Sequence, residues 1–151
     1  FYMSAVMSIE IGKNRLEGYK AALAKHGIAY DSNLVYSCDT YDEAVKVSRS
    51  VLKKHDRPDA IFAVNDLTAI GAMKTAKQLG LSIPEDIKFV GFENSRSSSI
   101  CEPELTTVDQ FGFELGKKAT ELLIKRINYE NFEFETQKQV VKTQLVTRGT
   151  T

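Results

Sequence analysis

Apolar positions along this chain fall into two alternating patterns: short continuous runs, and longer stretches spaced at three and four residues. The runs lie at 1–5, 34–37, 60–64 (AIFAV), 87–92 (IKFVGF), 106–108 and 139–146 (QVVKTQLV), and each reads as a strand. AIFAV has no polar position, which marks a strand covered on both faces. Between the runs, 14–27 places Leu16, Tyr19 and Leu23 on one helical face and stops at Gly27. Thr40-Tyr41-Asp42-Glu43 fits the capping box of a second helix, which carries Ala44, Val47 and Val51 on one side and breaks at Pro58. Leu67, Ile70, Met73 and Lys77 mark a third helix ending at Gly80. The span 112–127, with Phe113, Leu115, Leu122 and Leu123, marks a fourth. Strands alternating with helices of this length predict an α/β fold, an open parallel sheet whose right-handed crossovers put helices on both faces.

Charge narrows the function. Twenty basic residues balance twenty acidic ones, and the isoelectric point is near 6.9. Such a chain has no electrostatic footprint for nucleic acid or an anionic membrane, so it is not expected to grip DNA by itself. Cys38 and Cys101 lack metal or redox spacing, and reduced thiols in a cytoplasmic protein are the expectation. No apolar run approaches the roughly 20 residues of a membrane helix. The opening FYMSAVM has no initiator methionine and reads as mid-strand, as expected of a piece of a longer protein.

In an open parallel sheet, ligands bind outside the carboxyl ends of the strands. That rule selects Arg15 after the first strand, Thr40 and Tyr41 after the second, Asn65 and Asp66 after the third, Glu93 and Asn94 after the fourth, and Gln110 after the fifth. A guanidinium, amides and a carboxylate together suit the mixed donors and acceptors of a polyol, and Tyr41 is a candidate wall for an apolar sugar face. Each residue also has a purely structural reading. Asn65 or Asp66 suits the N-cap of the helix from Leu67, Arg15 suits a pair with Glu17, and Glu93 suits a solvated loop. His26 and His55 sit near helix ends, where the dipole favours them. The sequence contains no metal-ligand cluster, P-loop, dinucleotide fingerprint or nucleophile elbow, and Ser97-Ser98-Ser99 has no His partner. Neither catalysis nor a cofactor is expected.

FAVNDLTAIGAM, GLSIPEDIKFVGFEN and PELTTVDQ, in this order within 57–110, resemble the effector-binding core of the lactose-repressor (LacI/GalR) family. NRLEGYKAAL and TYDEA extend the resemblance upstream, and 112–127 extends it downstream. The resemblance implies a type I periplasmic-binding-protein-like fold. Residues 1–111 would be the C-terminal lobe, 112–138 a segment that packs with the N-terminal lobe, and 139–151 a terminal strand and tail. Neither the DNA-binding headpiece nor most of the first lobe is covered. Helix 112–127 is therefore expected either to pack in a non-native way or to find another chain.

The resemblance carries ligand roles onto Arg15, Asn65, Glu93 and Gln110, leaves the wall at Thr40 or Tyr41, and gives Asp66 the cap. Glu93 stands where the family usually has Asp, one methylene shorter. The function implied is an effector-sensing region of a cytoplasmic, homodimeric repressor. A sugar or sugar derivative would alter its closure, and operator DNA would be reached only through the headpiece. The third helix and the loop at 97–102 are candidate dimer contacts. A periplasmic sugar receptor of a transporter is the alternative, and a doubly wound enzyme is a weaker one.

Overall fold

The computed structural model describes residues 1–4, 10–128 and 136–151. Four strands, β1 (Tyr2–Ser4), β2 (Val35–Ser37), β3 (Ala60–Ala63) and β4 (Lys88–Val90), form a parallel sheet in the order β2-β1-β3-β4. Tyr2 pairs with Val35 on one side and Phe62 on the other, and Phe62 with Val90. The winding reverses between β1 and β3, which is where an open α/β sheet leaves its crevice.

Side-chain alternation along β1 assigns the two faces. Tyr2 is buried and stacks on Phe62 and on Tyr19 of helix α1 (Glu10–Lys25), so α1 covers one face. Phe1 and Met3 point the other way, into a core with Ile61, Ala63 and Phe89. Helices α2 (Tyr41–Val51) and α3 (Asp66–Gln78) close that core with Ala44, Val51, Ala69, Ala72, Met73 and Ala76. The open parallel sheet with helices on both faces is thus the observed architecture. The two helices touch closely at Gly71, where a Cβ would lie 2.9 Å from the Tyr41 carbonyl oxygen and 3.2 Å from Ala44 Cβ. The buried stripe of α3 is therefore built from small residues. Leu67, expected on the apolar face, is instead 52% exposed.

Local chemistry sets the helix starts. At α2, Thr40 Oγ1 accepts from the Glu43 N–H, and the Glu43 carboxylate accepts in return from the Thr40 N–H. The Asp39 N–H, at 3.0 Å, and then the Thr40 N–H hold the Glu43 carboxyl below its ordinary range. Thr40→Ala is expected to lower stability by about 1 kcal/mol in urea unfolding, the usual value of a lost cap. Helix α1 begins four residues before the spacing predicted. Gly12 is buried within its first turns.

Beyond β4 the chain forms a second, two-stranded sheet in which β5 (Thr107–Asp109) pairs antiparallel with β6 (Gln144–Val146). Parallel bridges Val90–Thr106 and Glu93–Asp109 tie β5 alongside β4. The terminal strand is shorter than the expected 139–146. Its partner ends at Asp109, opposite Gln144, and the chain then turns through Phe111 (φ 51°) into helix α4 (Gly112–Ile127). Helix α4 buries no residue, and Phe113 is 87% exposed. Among the described residues, α4 shares a groove with Gln137, Gln139 and Val141 through Leu115, Ala119 and Leu122, and the expected non-native packing does not bury it.

Candidate functional site

The residues after the strands are brought together by contacts that run from one strand end to the next. Arg15, in the second turn of α1, donates from Nη1 to the Val64 carbonyl at the end of β3, at 2.9 Å. Its guanidinium lies 4.2 Å from the ring centroid of Phe92, just past β4. The expected alternative partner, Glu17, pairs instead with Lys20 at 2.9 Å. Asn65 donates from Nδ2 to the Asp39 carbonyl beyond β2, at 3.3 Å. Glu93 donates its backbone N–H to Val108 of β5 at 2.8 Å, which leaves Gln110 two residues on. Arg15, Asn65, Glu93 and Gln110 therefore line one edge of the sheet.

The cap expected at Asp66 falls to Asn65. Asn65 is the N-cap of α3: its Oδ1 accepts from the Thr68 N–H at 2.8 Å, and the Thr68 hydroxyl closes the box. Its amide carries two N–H donors, and the Asp39 carbonyl takes one of them. Asp66, expected to cap, is fully buried. Its Oδ2 accepts from the Ser95 N–H at 2.7 Å and the Ser95 hydroxyl at 2.9 Å, and its Oδ1 accepts from the Thr107 hydroxyl. The capping geometry needs an acceptor one residue before the first helical position, and Asp66 is already inside the helix. Its carboxylate instead joins the loop after β4 to β5.

The loop after β4 carries two consecutive non-glycine residues with positive φ, Glu93 at 134° and Asn94 at 52°. Asn94 Nδ2 donates to Asp109 Oδ2 at 2.9 Å, and Asn94 Oδ1 accepts from Arg148 Nη2 at 2.7 Å. The Asp109 carboxyl is held below its ordinary range, first by the Phe111 N–H at 2.7 Å and then by the Asn94 amide. Glu93 itself is exposed at the crevice edge.

Tyr41 does not reach this edge. Its ring packs over Gly71 in the seam between α2 and α3, under the Lys74 ammonium. Thr40 holds the capping box of α2, and the ring of Tyr41, the aromatic candidate for the wall after β2, is turned into the helix seam. The aromatic at the site is Phe92, held beneath Arg15. It was legible only as the last apolar residue of IKFVGF, because the pattern does not show which strand residue meets the guanidinium. Asp109 and Arg148 were missed for a similar reason, since their partners lie 15 and 54 residues away in sequence.

Both cysteines are free. Burial comes first in pushing the Cys38 thiol up to about 11, with Glu43 and Asp39 adding to the shift.

The periplasmic binding protein-like domain model matches residues 5–151. The chain belongs to this family. Within it, its relatives are repressors of the lactose-repressor (LacI/GalR) group. The ribose operon repressor of Halalkalibacterium halodurans is 41% identical over 140 residues, covering 92% of this chain and 41% of that protein. The transcriptional repressor PurR of Vibrio atlanticus is 35% identical over 139 residues, covering 87% and 41%. Among solved structures, a transcriptional regulator CelR–cellobiose complex superposes with a TM-score of 0.92 at 32% identity, covering 99% of this chain and 46% of that one. This family member thus spans less than half the length of the curated relatives it matches. Among its described residues no helix is long and apolar enough to cross a membrane.

Proposed function

We propose that this chain is the C-terminal lobe, with its following segment, of the effector-sensing region of a transcriptional repressor. A sugar or sugar derivative binds in the crevice edged by Arg15, Asn65, Glu93 and Gln110. One observation carries the reading: contacts from Arg15 to Val64 and Phe92, from Asn65 to Asp39, and from Glu93 to Val108 join five strand ends into a single edge. That edge presents a guanidinium, amides and a carboxylate beside an aromatic ring, which suits a polyol with one apolar face.

Residues 1–111 form the lobe, 112–138 the segment that docks on a first lobe, and 139–151 the terminal strand and tail. The exposed apolar positions of α4 support the second assignment. Ligand bound between the lobes favours the closed arrangement by its differential affinity for the two states, and closure sets the spacing of two DNA-binding headpieces in a cytoplasmic homodimer. Leu67 and Ile100, which are 52% and 74% exposed, lie on the elements that would meet a second copy. The role is recognition without catalysis. The names of the relatives favour a regulator over a transport receptor.

The test is calorimetric titration of the intact protein with D-ribose and cellobiose, probes taken from the names of the relatives. Arg15→Ala and Glu93→Ala each remove a charge-assisted hydrogen bond and should each cost about 1.5–3 kcal/mol, on the order of ten- to a hundredfold in Kd. Glu93→Ala keeps a Cβ, so the backbone constraint at φ 134° is unchanged. Affinity unaltered in both variants would remove them from the site.

A further inference from the structure

We propose that Arg148 is a positioning residue for the cleft, holding the Glu93–Asn94 turn and the Asp109–Gln110 strand end at the separation a ligand meets. This rests on the ligand reading above and adds a residue that does not touch the ligand. Arg148 lies just past β6, and its side chain is 16% exposed. Nη2 donates to Asn94 Oδ1 at 2.7 Å, and Nη1 donates to the Leu105 carbonyl at 2.8 Å and to Ser98 Oγ at 3.1 Å. Nε is 3.7 Å from the Glu104 carboxylate, and the Arg148 backbone N–H donates to Thr106 Oγ1 at 2.8 Å. The guanidinium is thus anchored on the segment before β5, at Ser98, Glu104 and Leu105, with one arm extended to Asn94.

Asn94 passes that anchoring on. Its amide lies between a cation and a carboxylate, Arg148 on the Oδ1 side and Asp109 on the Nδ2 side, and this fixes its orientation. The backbone is fixed with it: Asn94 sits at φ 52° and Glu93 at φ 134°. Non-glycine residues stay in such conformations only where the surroundings over-determine them. Asp109, the far end of the relay, also accepts the Phe111 N–H and stands directly before Gln110. Two of the four candidate ligand groups, following different strands, are therefore braced by one guanidinium in addition to the Glu93–Val108 backbone bond. A lysine could keep the charge there, but it lacks the planar fork that reaches Asn94 and Leu105 at once.

The test uses the full-length protein with Arg148→Lys, Asn94→Gly and the double variant. Glycine removes the amide without straining the positive φ. D-ribose is titrated by calorimetry well below the unfolding temperature, and amide hydrogen exchange is followed without ligand. Each single variant should raise Kd about tenfold at unchanged stoichiometry, and the double variant should be no weaker than either, because the residues act in series. A merely structural role lowers Tm and leaves Kd unchanged. That result, or additive losses, overturns the proposal. In the ligand-free Arg148→Lys protein, the Asn94 and Phe111 amides should exchange at least about tenfold faster while Ala72 in α3 is unaffected. If the wild type does not take up D-ribose, the ligand assignment fails on its own account. Exchange then decides the role of Arg148: faster exchange at the two amides supports it, and unchanged exchange overturns it.

Discussion

Asp66→Ala should lower the unfolding free energy by about 3–5 kcal/mol, a loss expected when a buried charged acceptor with several donors is removed. The Ser95 N–H, the Ser95 hydroxyl and the Thr107 hydroxyl all end on this carboxylate, which is fully buried. Alanine leaves these donors facing a cavity and unties the β4 loop from β5. The check is the urea midpoint at unchanged m-value. Asp66→Asn keeps the shape and one acceptor oxygen, so about half the loss should return. A loss below about 1 kcal/mol for Asp66→Ala would mean that the network has little net value, as exposed polar pairs do.

Gly91→Ala should cost about 3 kcal/mol, at the upper end for overpacking by one methyl group. A Cβ there would lie 2.3 Å from Asp66 Oδ1, 2.9 Å from Leu105 Cδ2 and 3.3 Å from Asp66 Cα. None of the three can move cheaply, because the carboxylate is held by its donors and Leu105 is fully buried. The effect depends on Asp66. In an Asp66→Ala background the shortest contact is gone, so adding Gly91→Ala should cost at least about 1 kcal/mol less than it does in the wild type. Additive losses in that cycle would contradict the packing described for this corner.

Much of the fold was legible because strand runs and helix spacing alternate along the described chain as far as β4. Thr40 and Glu43 announce α2 by chemistry as well as by period. The strand-end rule selected Arg15, Asn65, Glu93 and Gln110 because it needs only topology. What it could not supply was tertiary partnership. The cap falls on Asn65 and not on Asp66. A capping box needs a polar residue three positions on, and Asn65 has Thr68 there, whereas Asp66 has Ala69. That signal was present in the sequence. Tyr41 failed as a wall because Gly71 opens a slot for its ring in the helix seam, and spacing does not reveal which glycine accepts which ring. Arg148 was invisible because its partners come from four distant positions, which no local pattern joins. The period of α4 was plain, but a period shows an apolar face without showing what covers it.

The central claim is that one sheet edge holds the effector. It is tested most directly by a crystal structure of the intact protein with a sugar probe bound, either D-ribose or cellobiose. The account predicts the sugar at the carboxyl ends of β1, β3 and β4, with hydroxyls within hydrogen-bond distance of Arg15 and Glu93 and a ring face near Phe92. A sugar seated elsewhere, such as the groove between α3 and Cys101, with Arg15 and Glu93 untouched, would contradict it.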